Sequence, residues 1–150
     1  GEQKRVFSMI PALHDAEFVR YGVMHQNTFL QSPKLLDRYY ADRRNPLVAF
    51  AGQMTGVEGY VESTASGYLA AVAMAAKVQG RELPDFPKET AIGALGQYVS
   101  DESIENFQPM NINFSIIAPL EKRIRKKAEK NLAIAARSLD VIDRLVAKGI

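Results

Sequence analysis

The sequence contains no cysteine, and this absence excludes three kinds of chemistry from the chain's own residues. It rules out disulfide bonds, thiolate metal sites and a cysteine nucleophile. Histidine is scarce as well, because His14 and His25 are the two histidines and they do not stand at HxxxH or HExxH spacing. A zinc site is therefore not expected, and no metal is predicted.

Long apolar runs are also missing. No stretch of about eighteen apolar residues is present, so we expect no membrane-spanning helix and no membrane partner. The polar start, Gly1 to Arg5, is unlike a secretory signal. These features predict a cytoplasmic protein. Because the first residue is a glycine rather than a methionine, we also expect the chain to be a piece of a longer protein.

What is present suffices for one ordinary core, since 47% of the 150 residues are hydrophobic. The net charge of +2 is too small to indicate a nucleic-acid partner, but basic residues crowd into nine positions near the C-terminus. They are Lys122, Arg123, Arg125, Lys126, Lys127 and Lys130. The cluster is either a phosphate-binding surface or a solvated face. No aromatic residue interleaves with it in the sequence, so base stacking is not predicted.

Three stretches have the pattern of extended chain. Residues 16–30 alternate over part of their length and predict one or two strands. Leu47 to Ala51 are five apolar residues in a row, which favours a strand covered on both faces of a parallel sheet. Ile112, Phe114 and Ile116 alternate with polar residues and predict a strand or an extended packed segment.

Helical periodicity dominates the remainder of the chain. A run of small residues at helical spacing predicts a helix over 59–78 that lies close against a sheet, with Gly80 as its cap. Its predicted apolar stripe is Val61, Ala65, Leu69, Val72 and Ala76. Further helices are expected over 89–99 and over 120–148. The second has basic residues in its first two turns, and its predicted apolar stripe is Ile124, Ala128, Leu132, Ala135, Leu139, Ile142 and Val146. Residues 32–46 predict a loop with a short helical turn.

Gly52, Gly56 and Gly59 stand between the predicted strand and the predicted helix. Strand, glycine turn and helix in this order form half of a nucleotide-binding unit, so the predicted fold class is α/β. The open N–H groups at the helix start favour an anionic or electron-rich ligand, although a tight turn packed under a loop explains the glycines equally well. Gln53 could hydrogen-bond a chain of hydroxyl groups, whereas Glu58 could simply complement the helix dipole.

Two further side chains have a functional and a structural interpretation. His25 is a candidate for catalysis or a histidine of the fold. Tyr60 could stack on a planar ring or staple the turn.

Four stretches, in this order, closely resemble one family. They are AEFVRYGVMHQNTF, FAGQMTGVEGYVES, FPKETAIGALGQYV and FQPMNINF. They resemble the C-terminal portion of the folate- and FAD-dependent tRNA uracil-5-methyltransferases, the TrmFO branch of the glucose-inhibited division flavoprotein family. The resemblance covers nearly all of residues 4 to 120.

The resemblance implies an enzyme that methylates C5 of the T-loop uridine of tRNA. Methylenetetrahydrofolate would supply the carbon, and FAD reduced by NAD(P)H would supply the reducing equivalents. The AGQMTGVEGY stretch would belong to the flavin site, in which Gln53 contacts the ribityl chain and the helix start stabilises negative charge on the ring. The implied cofactor-binding residues are Gly52, Gln53, Thr55, Gly56, Val57, Glu58 and Gly59. His25 and Tyr60 would border the folate or flavin ring.

The family's GxGxxG fingerprint and catalytic cysteines are absent from this chain. We therefore expect a C-terminal fragment that is inactive alone and that partners the remaining N-terminal part of the enzyme. Its expected divisions are the C-terminal part of an FAD-binding Rossmann-like domain at 1–80, a connecting segment at 81–119 and a long C-terminal amphipathic helix at 120–150. We also expect self-association, through exposed strand edges and apolar surface.

Two other functions remain open at this point. The chain could be a basic RNA-binding interaction module, in which the residues of the cluster contact tRNA phosphates. It could also be a fragment of the related flavoprotein that modifies the wobble uridine of tRNA, although the VEGYVES and QPMNINF stretches favour the uracil-5-methyltransferases.

Overall fold

The computed structural model describes residues 2–19, 22 and 27–149. Its helices in chain order are α1 (Glu2–Phe7), α2 (Ser32–Leu35), α3 (Tyr60–Val78), α4 (Ala91–Ser100) and α5 (Lys127–Ala147). Two 3₁₀-helices, Pro11–Leu13 and Gly52–Thr55, precede α2 and α3 respectively. The predicted loop with a short helical turn over 32–46 is confirmed by α2.

The described residues form no β-strand, so the predicted α/β class is wrong in its strand component. Three isolated bridges replace the sheet: Leu36 with Asp42, Ala41 with Ala49, and Val57 with Met110. Much of the predicted strand region at 16–30 lies outside the described residues. The structure is helical, and the strand of a strand–turn–helix unit is not among its described elements.

Residues Leu47 to Ala51 illustrate why the strand prediction failed. The side chains of Leu47 and Val48 are 67% and 40% exposed, so this apolar run is not covered on both faces. Asp42 N–H donates to the Val48 carbonyl at 2.8 Å and Phe50 N–H donates to the Tyr40 carbonyl at 3.0 Å. These two bonds fold the run back on the turn before it, and no further strand of the described chain lies beside it to extend the pairing.

The alternating segment from Ile112 to Ile116 is a turn rather than a strand. The Asn113 side-chain oxygen accepts the Ser115 N–H at 2.9 Å, and Ile116 N–H reaches the Asn113 carbonyl at 3.4 Å. Asparagine side chains commonly compete with ladder hydrogen bonds in this way. The period-2 pattern was therefore misleading as a strand signal, because local asparagine bonding closed the turn, but Ile112 and Ile116 do pack against the core.

Helix α3 confirms the predicted helix and its cap. Gly80 has φ +64°, and its N–H donates to the Lys77 carbonyl while Arg81 N–H donates to the Ala76 carbonyl at 2.8 Å. This pair of bonds is a Schellman motif, which requires a left-handed residue at its centre. The buried face consists of Ser66, Leu69, Ala70, Ala73 and Ala76. The predicted stripe was right at Leu69 and Ala76 and wrong at Val61, which is 79% exposed.

Small residues on α3 and α4 permit close packing against loops and helices instead of a sheet. Thr90 caps α4, because its hydroxyl accepts the Gly93 N–H at 3.1 Å. Gly93 and Gly96 lie against backbone carbonyls of Phe86 and Arg38, so a side chain at either position would collide with the backbone. The main buried cluster contains Tyr40, Val57, Leu69, Ala70, Phe86, Leu95, Val99 and Phe107.

Helix α5 begins at Lys127, seven residues later than predicted. The segment before it is not helical and is held against α5 by Arg137. The Arg137 guanidinium donates to the carbonyls of Ala118 and of Pro119, the latter at 2.7 Å. Four of the six cluster residues therefore precede the helix, and only Lys127 and Lys130 belong to it. Lys126 is still the N-cap and Lys127 the first residue, so the later start removes only part of the unfavourable interaction between these cations and the helix dipole.

The buried face of α5 also differs from the predicted stripe. The prediction was right at Ile142, which packs against the main cluster together with Leu145, but it omitted Ile134, which is 1% exposed. Leu132, Leu139 and Val146 are 71%, 65% and 62% exposed. The described residues form no sheet, so they offer no strand edges for the predicted self-association. The exposed side chains of Leu132, Leu139 and Val146 still provide apolar surface for it.

None of the helices in the described parts of the chain is long and apolar enough to cross a membrane. The division at residues 80 and 119 stays a prediction.

Candidate functional site

The glycine turn is a 3₁₀-helix held by its own polar groups. Gly52, with φ +73°, donates its N–H to the Ser66 hydroxyl at 2.9 Å. The Thr55 hydroxyl donates to the Gly52 carbonyl at 2.7 Å, and Gly56 N–H donates to the Gln53 carbonyl at 3.0 Å. The turn is therefore joined directly to helix α3 through a buried serine.

Gly59 is the residue at which the chain enters α3, and its φ of +92° is one that side-chain-bearing residues rarely adopt. No side chain caps this helix start. A β-carbon at Gly59 would come within 2.7 Å of the Glu62 carboxyl carbon and 2.9 Å of the Asn111 amide nitrogen. Glu62 and Asn111 therefore already fill the position of a side chain, and glycine lets them lie against the helix start, beside N–H groups that have no partner within the helix.

A cavity of about 330 Å³ opens at this helix start. Gln53, Gly59 and Tyr60 line it, together with Asn27 and Ser63. The Tyr60 side chain is 96% exposed, so it does not staple the turn and is free to contact a ligand. The cavity can accept a flat or hydroxyl-bearing ligand, since its lining offers amide, hydroxyl and aromatic groups around the positive end of the α3 dipole.

The structure separates the predicted cofactor-binding residues into two sets. Gln53 and Gly59 line the cavity. Thr55 and Val57 are fully buried, and Gly52, Thr55 and Gly56 make the bonds that shape the turn. Glu58 N–H donates to the Met110 carbonyl at 3.1 Å, and Met110 N–H donates to the Gly56 carbonyl at 3.0 Å. His25 lies outside the described residues.

Sequence reasoning missed Asn27, Ser63 and a buried polar support beneath the turn. The Ser32 hydroxyl donates to the Thr55 carbonyl at 2.8 Å, and both residues are fully buried. Ser63 lies one helical turn beyond Gly59, a spacing that could have identified it. The pairing of Ser32 with Thr55 spans 23 residues and carries no local signal.

The six basic residues of the cluster are all exposed. Lys126 pairs with Glu129 at 2.9 Å, whereas the other five have no acidic partner within 4.0 Å in the described part of the chain. Arg123, Arg125, Lys127 and Lys130 line a cavity of about 490 Å³. Uncompensated cations around a concave surface suit a polyanion.

An aromatic side chain that is distant in sequence belongs to this basic cavity. Phe114 lines it and is 42% exposed. As predicted, no aromatic residue lies within the cluster in the sequence. In the folded chain, however, Phe114 lies beside the cluster. The turn over residues 113–116 produces the difference.

The sequence is similar to one family of known proteins. Residues 1–82 match the family model described as glucose inhibited division protein A. The chain is 54% identical over 147 residues to the methylenetetrahydrofolate–tRNA-(uracil-5-)-methyltransferase TrmFO of Acetivibrio thermocellus, covering 98% of this chain and 34% of that protein. Proteins of the same name from Streptococcus agalactiae and Bacillus cereus are 55% and 53% identical over 97% of this chain, which covers 33% and 34% of their lengths.

The chain therefore spans about a third of the length of the curated relatives that it matches. The family match covers more than half of the chain and includes the whole glycine turn and helix α3. On these findings, the chain belongs to the glucose inhibited division protein A family.

Proposed function

We propose that a protein carrying this chain methylates C5 of a uridine in tRNA, with methylenetetrahydrofolate as the carbon donor. The names of the relatives at 53–55% identity support this substrate, donor and reaction. The finer assignment, the T-loop uridine, follows from the resemblance of the sequence motifs to the TrmFO branch. Because the chain spans a third of these relatives, we propose that the activity also requires the other two thirds.

We propose that this chain supplies one side of an FAD site at the glycine turn. The observation that carries the proposal is the polar cavity at the uncapped start of α3, which Gly59, with φ +92°, helps to line. The residues present fit a flavin, since the cavity of about 330 Å³ can admit the edge of a planar ring beside Gly59 and Tyr60, and Gln53 offers an amide to a hydroxyl chain. Bound FAD supplies reducing equivalents, which NAD(P)H would replenish.

The chain's own residues bind and orient in this proposal, and none acts as a nucleophile. The N–H groups at the start of α3 stabilise negative charge near Gly59. Gln53 hydrogen-bonds the ligand, and the exposed Tyr60 ring covers one edge of the cavity. We place His25 beside the same ring by resemblance to the family.

The basic cluster is the proposed contact with tRNA phosphates. Five of its six cations have no acidic partner in the described part of the chain. This supports the assignment, because phosphate would supply the missing negative charge. We further propose that the N-terminal part of the enzyme is a partner of this chain. The cytoplasm is the proposed location, since tRNA and NAD(P)H are found there.

The decisive experiment compares Gly59→Ala with Gly80→Ala in the complete protein that carries this chain. Both glycines have positive φ, but a β-carbon at Gly80 would point into open space whereas one at Gly59 would meet polar neighbours. Gly59→Ala should suffer more backbone strain than Gly80→Ala, because Gly59, with φ +92° and ψ 144°, lies close to a region that is nearly confined to glycine, so the folded fraction of each variant is measured as well. Only Gly59→Ala should lose flavin absorption and tRNA C5-methylation.

A second variant covers the case in which Gly59→Ala fails to fold. Gln53 is exposed, so Gln53→Ala should fold and yet lower flavin occupancy, while Gln79→Ala at the other end of α3 should not. Full flavin content and methylation in both Gly59→Ala and Gln53→Ala would overturn the proposed site.

A further inference from the structure

Phe114 lies at the tip of a hydrogen-bonded turn. The Asn113 side-chain oxygen accepts the Ser115 N–H at 2.9 Å and also the Ser115 hydroxyl, and the Asn113 amide nitrogen donates to the Asn111 carbonyl at 3.3 Å. The backbone bond from Ile116 N–H to the Asn113 carbonyl closes the turn. With its neighbours fixed in this way, the aromatic ring is presented to solvent, 42% exposed.

The segment after the turn is fixed to α5. Ile117 is 8% exposed and packs in a cluster with Ile134 of α5 and Ala94 of α4. The Arg137 guanidinium donates to the carbonyls of Ala118 and Pro119. The position of Phe114 relative to the start of α5 is therefore set by a buried contact and by hydrogen bonds.

The cavity beside Phe114 has an unusual combination of groups. Arg123, Arg125, Lys127 and Lys130 supply four positive charges, and no acidic residue of the described chain lines it. Asn131 and Ser115 add polar groups. A single exposed aromatic needs no explanation on a protein surface. An aromatic face surrounded by four cations in a concave site has the two parts that single-stranded nucleic acid requires, a stacking surface and a phosphate contact.

We propose that Phe114 stacks on one unpaired base of the tRNA, while Arg123, Arg125, Lys127 and Lys130 contact the phosphates on either side of it. This rests on the proposed tRNA substrate and adds a residue that binds a base to the surface that binds phosphates. The base must be unpaired, because a paired base in an RNA helix does not offer its face to a side chain.

The test measures tRNA affinity over a range of salt concentrations, using the complete protein that carries this chain and an unmodified tRNA transcript. Phe114→Ala should weaken binding about tenfold or more, with the salt dependence unchanged. Phe114→Tyr should bind like the parent protein because it keeps the aromatic face. Tyr68→Ala removes another exposed aromatic, on α3 and outside the basic cavity, and should change nothing.

Phe114→Leu separates stacking from packing and guards against a folding artefact. Leucine keeps apolar bulk in the turn but has no aromatic face, so this variant should fold and still bind as weakly as Phe114→Ala. Parent-like affinity of Phe114→Leu or Phe114→Ala would overturn the inference. If Arg125→Ala weakened binding in that case, the proposed tRNA surface would stand without its stacking residue; if it did not, both proposals would fall.

Discussion

The ring of Phe107 occupies the space that a β-carbon at Gly56 would need. Phe107 is 1% exposed, and its ring centre lies 5.4 Å from that of Tyr98 and 6.2 Å from that of Phe29. Gly56 itself has φ +86°. The glycine turn is thus packed directly on the aromatic core, so two reasons, backbone conformation and lack of room, require glycine at this position.

Gly56→Ala should therefore destabilise the chain more than a positive φ alone explains. Left-handed strain costs about 1–2 kcal/mol for a residue with a β-carbon, and the clash with Phe107 adds to it. Gly80→Ala measures the backbone strain alone, because Gly80 has φ +64° and a β-carbon there would meet no neighbouring atom. Urea unfolding should give a larger loss for Gly56→Ala than for Gly80→Ala.

A double-mutant cycle assigns that excess loss to Phe107. Phe107→Ala alone should cost about 3–5 kcal/mol, as expected for a buried phenylalanine. In that background, the additional cost of Gly56→Ala should fall to the cost of Gly80→Ala. Strict additivity of Gly56→Ala and Phe107→Ala would show that the two residues do not compete for space.

Tyr40→Phe should stabilise the chain. The Tyr40 side chain is fully buried, and its hydroxyl has no hydrogen-bond partner among the described residues. Removing an unsatisfied buried hydroxyl should raise the free energy of unfolding at pH 7 by about 1 kcal/mol. Tyr68→Phe, at an exposed position, is the matched control and should be neutral.

The same variant should change the alkaline dependence of stability. Burial raises the pKa of Tyr40 well above its ordinary value. Above about pH 10 the unfolded chain loses the phenolic proton that the folded chain retains, so stability falls as pH rises. Urea unfolding between neutral and alkaline pH should show a shallower fall for Tyr40→Phe. An identical pH dependence in parent and variant would contradict this account.

Changing Lys122, Arg125 and Lys126 together to alanine should weaken tRNA binding of the complete protein and reduce its dependence on salt. Each lost phosphate contact lowers the slope of log affinity against log salt by about 0.7–0.9, so three lost contacts lower it by about two to three. A control variant removes the same charge from exposed positions outside the cluster: Lys4, Lys34 and Lys148. Equal losses in the two triple variants would mean that net charge, not the cluster, drives binding.

The isolated chain should self-associate through α5. Leu132, Leu139 and Val146 are exposed at intervals of seven residues and form one apolar row along the helix. Light scattering should show a mass that rises with protein concentration, and Leu139→Lys should reduce it. Val78→Lys, which alters an exposed apolar residue on α3, should not. A monomeric parent chain at high concentration would refute the prediction.

Local signals in the sequence predicted α3 and α4 well, placed the start of α5 too early and missed α1. The small-residue period and Gly80 gave α3 and its Schellman cap, and the run after Thr90 gave α4. The 3₁₀-turn before α3 could not be distinguished from a strand end, because the apolar run at 47–51 is compatible with either. The run becomes a strand only where a neighbouring strand can pair with it, and whether one does depends on residues distant in the sequence.

The site was predictable where one short segment builds it and not where distant segments meet. Gln53, Gly59 and Tyr60 lie within eight residues and do line one cavity, as the motif suggested. Asn27 and Phe114 join their sites through loops whose paths are set by tertiary contacts. The buried face of α5 was predicted incorrectly for a related reason. The sequence of the helix does not show that Ile134 rather than Leu132 is buried, because that depends on where Ile117 packs.

The bridge between Val57 and Met110 has a consequence for local opening. Among the backbone hydrogen bonds of the described residues, those of the Glu58 and Met110 amides join the glycine turn to the segment that leads to Phe114. In a deuterated solvent these two protons should exchange ahead of those in the middle of α3 and α4, because an isolated bridge lacks the neighbouring pairs that protect a ladder. A bound ligand that orders the turn would then be visible first as slowed exchange at Glu58 and Met110.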